Sequence, residues 1–131
     1  MYLLDTNIIL ELMLNRGKAD DVARLFRSVP AERLFISEFS LYSIGIIFHQ
    51  RKTPEKYLEL IDDLIIKAGV HSARLLPEDM RDLSNNARDF SLDFDDAYQY
   101  TASEKYGLTL VSFDADFDRT PNGRKKPDEL V

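Results

Sequence analysis

The sequence predicts an α/β fold with a central parallel sheet of about four to five short strands, flanked by helices. Short apolar segments alternate with longer segments whose apolar residues recur at helical spacing. Short buried strands joined through helices are typical of a parallel sheet that is covered on both faces. Because the chain has 131 residues and no linker-like segment, we expect a single domain over residues 1–131.

Four apolar segments are the predicted strands. The first two stop at a polar residue, Asp5 and Ser37, and each of these is suited to cap the helix that follows. The third segment alternates only weakly between apolar and polar residues and is the least marked of the four. The predicted strands are Met1–Leu4, Leu34–Ile36, Val70–Leu76 and Leu108–Val111.

Six helices are predicted from apolar spacing and from residues that start or stop a helix. Gly17 and Pro30 end the first two, and the pair Thr53-Pro54 starts the fourth. The predicted helices are Ile8–Leu14, Asp20–Val29, Glu38–Lys52, Pro54–Gly69, Pro77–Phe90 and Asp93–Tyr106. Proline and glycine in the last stretch, 119–131, indicate a turn followed by an edge strand or a loose tail.

The composition excludes several classes of protein. The chain has no cysteine, so disulfide frameworks, thiolate zinc sites and cysteine nucleophiles are absent, as is usual inside cells. No apolar run approaches the roughly 20 residues that span a bilayer, and no basic-then-apolar leader opens the chain. We therefore expect a cytoplasmic protein with no membrane partner.

Acidic residues fall where a parallel sheet exposes its carboxyl edge, which is where sites form in such folds. Asp5 ends the first strand, Asp114 follows the last one, and Asp96 lies in the first turn of the helix before it. Glu38, directly after the second strand, is a fourth candidate. Converging carboxylates repel one another unless a cation neutralises them, and all-oxygen ligation suits Mg²⁺ or Mn²⁺. Metal ions held in this way support in-line phosphoryl displacement.

Structural explanations exist for each acid taken singly. Asp5 is equally suited to form a turn or cap a helix, and Asp96 to complement a helix dipole. The acids from Asp114 to Asp118 fit a solvated turn. The hypothesis of a metal site depends on several acids from separate segments reaching one edge of the sheet.

These segments together resemble a known family. Residues 3–10, LLDTNIIL, resemble the opening motif of PIN-domain nucleases, and of VapC-type toxins in particular. Residues 96–102, DAYQYTA, and 107–117, GLTLVSFDADF, resemble the closing motifs in order and spacing. The resemblance implies a three-layer PIN-like fold and a set of site residues. It implies metal-binding, catalytic carboxylates at Asp5, Asp96 and Asp114, a contribution from Asp116, and polar support from Asn7 and Ser112.

One position departs from the family pattern. Sequences of the VapC type usually carry a glutamate about six residues after the serine that ends the second strand. Counting from Ser37, this position is Ser43, which offers no carboxylate. Either Glu38 reaches the site from nearer the strand end, or the site has one acid fewer.

The resemblance also implies a function. It implies an endoribonuclease that needs Mg²⁺ or Mn²⁺, acts as the toxin of a type II toxin–antitoxin system, and hydrolyses RNA phosphodiester bonds with metal-activated water. The implied partners are RNA, a cognate antitoxin and a second copy of the chain in a homodimer. The missing acid at position 43 leaves an alternative open, a catalytically weak or inactive RNA-binding or interaction module of the same fold.

Charge bears on the RNA hypothesis in two ways. The net charge of −6 by itself argues against non-specific nucleic-acid binding, but acids gathered around divalent cations would no longer repel RNA. A basic stretch near the C-terminus is either a solvated tail or a patch that grips RNA phosphates beside the acidic cleft. Its residues are Arg119, Arg124, Lys125 and Lys126.

Overall fold

A four-stranded parallel sheet forms the centre of the computed structural model, which describes residues 1–131. Its strands lie in the order β3-β2-β1-β4, so the chain starts in the middle of the sheet and adds strands on both sides. This confirms the predicted fold class. The strands are β1 Tyr2–Leu4, β2 Leu34–Ser37, β3 His71–Ala73 and β4 Thr109–Val111.

The strand register brings three polar residues to one edge. Leu4 of β1 is paired with Ile36 of β2 and with Val111 of β4. The next residues along these strands, Asp5, Ser37 and Ser112, therefore follow the sheet at the same level. All three are buried. A polar floor at the carboxyl edge results directly from the parallel register.

Six α-helices surround the sheet. They are α1 Thr6–Met13, α2 Ala19–Ser28, α3 Glu38–Gln50, α4 Pro54–Leu60, α5 Met80–Asp89 and α6 Phe94–Tyr106. The predicted helix over 54–69 is present, but its second half, Ile61–Lys67, winds as a π-helix. Single 3₁₀ turns occupy Ala31–Arg33, Pro77–Asp79, Ala115–Arg119 and Pro127–Leu130. None of the helices is long and apolar enough to cross a membrane.

Apolar side chains form a separate core on each face of the sheet. Leu3 and Leu4 are adjacent in β1 and point to opposite faces, as the period of a strand requires. The Leu4 core is completed by α1, α2 and α3, and the Leu3 core by α5 and α6. This three-layer arrangement explains why the strands are apolar on both faces.

The C-terminal segment is packed against β4. Lys125 forms an isolated parallel bridge with Val111, in which its N–H donates to the Leu110 carbonyl at 2.8 Å. The Lys125 carbonyl accepts from the Ser112 N–H at 2.9 Å. Thr120 and Pro127 in the same segment are buried. The segment thus extends the sheet by one residue and stays attached on both sides of that bridge.

Candidate metal centre

Asp5 is a buried carboxylate with donors on both oxygens. It caps α1, and its Oδ1 accepts from the Thr6 N–H at 2.7 Å and from Gln99 Nε2 at 3.2 Å. Its Oδ2 accepts from Ser112 Oγ at 2.6 Å. The side chain is only 6% exposed. Asp5 therefore caps the helix and also lies, held in one orientation, at the carboxyl edge of the sheet.

Ser112 connects Asp5 to the loop after β4. Because its hydroxyl donates to Asp5, it accepts from Asn7 Nδ2 at 3.2 Å and from the Asp114 N–H at 2.9 Å. The Asn7 side-chain carbonyl in turn accepts from the Phe113 N–H at 3.3 Å. These bonds fix the backbone that carries Asp114. Asn7 and Ser112 thus lie where the sequence prediction expects polar support.

Asp96 enters the site from α6. Asp93 is the N-cap of this helix, and its Oδ1 accepts from the Asp96 N–H at 2.9 Å. The cap fixes the first turn of the helix, and Asp96 lines a pocket of about 280 Å³ together with Asp5 and Asp114. The carboxylates predicted from three separate segments are therefore brought to one pocket.

Asp96, Asp114 and Asp116 form a tight acidic cluster. One carboxylate oxygen from each lies within 4.8 Å of the others. The Asp116 N–H donates to Asp114 Oδ1 at 2.8 Å, and this bond within the loop holds the Asp114 carboxylate in place. Asp116 is also 3.6 Å from Arg119 Nη1. Asp5 lies outside this tight cluster but shares the pocket with Asp96 and Asp114.

The carboxylates disfavour one another's charge. Burial raises the pKa of Asp96, and together with the negative charges of Asp114, Asp93 and Asp5 it brings this pKa to about 7. Burial also raises the pKa of Asp5, against the hydrogen bonds from Ser112 and Thr6. Asp96 is therefore partly protonated near neutral pH, and a bound cation could replace its proton.

The donor set fits a hard divalent cation. All of its candidate ligands are carboxylate oxygens, without histidine or cysteine, and this is the chemistry that Mg²⁺ and Mn²⁺ prefer. A bound cation would also relieve the repulsion that raises the pKa of Asp96. The arrangement can therefore hold a cation beside an open pocket.

Comparison with known proteins decides the family. A sequence profile of the PIN domain matches residues 2–123, which is nearly the whole chain. The chain belongs to the PIN domain family. A search of curated proteins found no match to the sequence.

Solved structures share the fold of this PIN domain. A toxin–antitoxin complex from Klebsiella pneumoniae superposes with a TM-score of 0.77 at 16% identity, covering 97% of this chain and 98% of that chain. FitAcB from Neisseria gonorrhoeae gives 0.73 at 19% identity, with 97% and 98% covered. VapC20 from Mycobacterium tuberculosis, described as a sarcin–ricin loop cleaving toxin, gives 0.74 at 17%, with 97% and 100% covered. At these identities the likeness shows the fold alone.

Glu38 lies apart from the acidic pocket of the PIN domain. It is the first residue of α3, and its Oε2 is 3.9 Å from Arg74 Nε beyond β3. Ser43, one and a half turns further along α3, does line the pocket. The position at which the family resemblance predicts a glutamate therefore lines the pocket with a serine.

The basic residues near the C-terminus are mostly engaged within the protein. Arg124 pairs with both oxygens of Asp118, at 3.2 and 3.3 Å, and donates to the Ser112 carbonyl at 3.1 Å. Arg119 donates to the Ser91 carbonyl at 2.8 Å, and Lys125 lies 3.8 Å from Glu129. Only Lys126 among the four has no such partner. The contacts of Arg124 therefore attach this segment to the loop that carries Asp114 and Asp116.

Sequence reasoning did not assign to the site three polar residues that line the pocket, Thr6, Asp95 and Gln99. Gln99 lines the acidic pocket and donates to Asp5, but it lies in a stretch of α6 that is otherwise buried. An amide between apolar and small residues on the core face of a helix is the signal that indicates it, since a buried amide needs partners.

Proposed function

We propose that this PIN domain is an endoribonuclease that requires Mg²⁺ or Mn²⁺ and acts as the toxin of a type II toxin–antitoxin pair. The observation that carries the proposal is the pocket in which Asp5, Asp96 and Asp114 converge from three segments. Burial and the neighbouring carboxylates raise the pKa of Asp96, and a bound cation would relieve the repulsion among these carboxylates. VapC20, which has the same fold, is described as a toxin that cleaves the sarcin–ricin loop, and this supports RNA as the substrate.

The proposed roles follow from the hydrogen bonds. Asp96, Asp114 and Asp116 hold the cation, and Asp5 completes the negative side of the pocket. A bound divalent cation supplies water activation and stabilises charge on the scissile phosphate. Ser112 and Asn7 keep Asp5 and the Asp114 backbone in place. Asp96, whose pKa is about 7 in the metal-free protein, would lose its proton to solvent in order to bind a cation.

Two protein partners belong to the same proposal. An antitoxin is supported by the Klebsiella pneumoniae structure, which is described as a toxin–antitoxin complex. A homodimer stays a prediction that light scattering of the purified protein measures directly. A cytoplasmic location agrees with the absence of cysteine and stays part of the proposal.

RNA cleavage tests the proposed activity. Single-stranded and structured RNA are incubated with the purified protein, once with Mn²⁺ and once with EDTA. We expect cleavage only with Mn²⁺, and a loss of about 100-fold or more for Asp5→Asn and Asp96→Asn, since each removes a charge from the pocket. Asp62→Asn is the matched control, because Asp62 is exposed on the π-helix and outside the site. Cleavage that survives both substitutions and chelation would refute the mechanism.

The alternative, a binding module with weak catalysis, is favoured by Ser43. A hydroxyl at this position leaves the pocket one carboxylate short of the usual PIN pattern. Such a module would bind Mn²⁺ and RNA without cutting the RNA at any Mn²⁺ concentration. The same gel, run beside a binding titration, separates the two functions.

A further inference from the structure

Gln99 is a buried amide that touches the candidate metal centre. It lies one turn after Asp96 on α6, so the two side chains share a face of the helix. It is 2% exposed. Its Nε2 donates to Asp5 Oδ1 at 3.2 Å and to Ser40 Oγ, with a longer contact of 3.4 Å to Thr6 Oγ1. The amide thus links α6 to residues that follow β1 and β2.

The other end of the amide has no partner. Gln99 Oε1 is the one buried side-chain polar atom in the protein without a hydrogen bond. Turning the amide over would give Oε1 a place beside Ser40, but it would set this oxygen against the Asp5 carboxylate. The negative charge of Asp5 therefore selects the observed orientation, although a buried acceptor stays unsatisfied as a result.

A chain of hydroxyl groups is hydrogen-bonded to the Nε2 group of the same amide. Ser40 Oγ accepts from Gln99 Nε2 and from Ser37 Oγ, which is 3.2 Å away. With both acceptor positions filled, its own proton points to Thr6 Oγ1 at 2.7 Å. With these bond directions, Gln99 presents an N–H group to Asp5.

We propose that Gln99 is a positioning residue of the metal centre. Through Nε2 it fixes Oδ1 of Asp5, as Ser112 fixes Oδ2, and the carboxylate cannot rotate away from the pocket. Hydrogen-bond partners of metal-ligating carboxylates commonly tune metal affinity, and the resemblance assigns Asp5 to this ligand set. The inference uses the divalent cation of the proposed function, but it does not require that the protein cleaves RNA.

Calorimetric titration with Mn²⁺ tests this role. In Gln99→Met the side chain keeps its length and loses the donor. We expect its Mn²⁺ affinity to fall by about 10- to 100-fold, the range found when such outer partners are removed. The matched control is Gln50→Met, at the exposed end of α3, which should leave the affinity unchanged. Ser40→Ala removes the second anchor of the amide and should lower the affinity by a smaller factor.

Each outcome bears on the inference. If Gln99→Met lowers the urea midpoint but keeps the Mn²⁺ affinity, Gln99 is merely structural and the proposal is overturned. If Gln99→Met does not fold, Ser40→Ala decides, since an unchanged affinity there would also overturn it. Wild-type protein that binds Mn²⁺ without cutting RNA would refute the proposed function and leave this measurement intact. Absence of Mn²⁺ binding by the wild type would refute both.

Discussion

Asp5 shows how one residue serves both the fold and the site. The same carboxylate caps α1 through the Thr6 N–H and faces the acidic pocket, because the helix begins where β1 ends. Donors on both of its oxygens are in place without a cation. Hydrogen-bond donors that are already in place do not have to rearrange during a reaction. Such preorganisation accounts for much of the electrostatic contribution to catalysis.

Ser43 occupies the position at which the family resemblance predicts a glutamate, and it offers a gain-of-function test. Because Ser43 lines the pocket with Asp5, Asp95, Asp96 and Asp114, a glutamate there would add a fifth carboxylate. We expect Ser43→Glu to bind Mn²⁺ about tenfold more tightly or better, as one charge-assisted contact contributes about 1.5–3 kcal/mol. Isothermal titration measures the change.

The control for this variant is Ser43→Gln, which has the same length and no charge. Without Mn²⁺, the glutamate should lower the urea midpoint, since it adds like charge to an acidic pocket. Equal Mn²⁺ affinities for the glutamate and glutamine variants would show that position 43 does not reach the cation.

At the residue scale, sequence predicts the carboxylates better than their partners. Asp5 follows β1 directly and Asp114 lies three residues after the end of β4, so the parallel register brings both close to one edge of the sheet. The direction of Glu38 toward Arg74 depends on how α3 leaves β2, which no local pattern encodes. Gln99 is similar, because its role depends on two other segments that meet only in the folded chain.

At the scale of elements, α6 both supports the site and holds the edge of the sheet. β3 is an edge strand of three residues, and the chain leaving it is bound to α6 by two tyrosine hydroxyls. Tyr98 Oη accepts from the Leu75 N–H at 2.9 Å, a buried bond. Tyr106 Oη accepts from the Arg74 N–H at 3.3 Å and donates to the Arg74 carbonyl at 2.8 Å. These bonds satisfy backbone groups that an edge would otherwise expose.

Removing the two hydroxyls one at a time compares the contribution of a buried hydrogen bond with that of exposed ones. Tyr98→Phe leaves the Leu75 N–H buried without a partner, so we expect the free energy of unfolding to fall by about 1–3 kcal/mol. Tyr106→Phe is the matched control, because Tyr106 is 39% exposed and water can replace its hydroxyl. Urea unfolding measures both. Equal losses in the two variants would contradict the argument from burial.

Some elements were predictable and others were not. Caps and stops such as Ser37 and Pro54 are local signals, and the helices begin where they indicate. The π-helical turn at Ile61–Lys67 has the same apolar spacing as an α-helix over so short a stretch, so spacing could not reveal it. The third strand is shorter than predicted because only His71–Ala73 pairs with β2.

At the scale of the whole molecule, the placement of charge matters more than its sum. The net charge of −6 is modest, yet five acids converge on one edge, while most of the C-terminal basic residues bond to acids or carbonyls of the protein. The five acids at this edge are Asp5, Asp95, Asp96, Asp114 and Asp116. The negative potential is therefore concentrated at the pocket. An RNA phosphate would meet this potential unless a cation neutralises it first.

Concentrated negative charge makes the stability of the metal-free protein depend on pH in a specific direction. The pKa of Asp96 is about 7 in the folded protein and 3.8 as its ordinary value, so between these values the folded state binds more protons than the unfolded state. The free energy of unfolding should then fall as pH rises from about 4 to about 7, and level off above. Asp5, whose pKa is also raised, acts in the same direction. The lowered pKa of Asp79 acts the other way, but only at and below its ordinary value of 3.8.

Urea unfolding at about pH 5 and about pH 8, with EDTA and with Mn²⁺, measures this dependence. With EDTA, we expect the wild type to be less stable at the higher pH, and Asp96→Asn to lose most of that difference. With Mn²⁺ the order reverses, because a cation binds the ionised carboxylates and stabilises the folded state most where they have lost their protons. Contributions from groups that both proteins share cancel in the comparison of wild type with Asp96→Asn. If the free energy of unfolding of wild type and Asp96→Asn had the same pH dependence in EDTA, repulsion at Asp96 would not be the cause of that dependence.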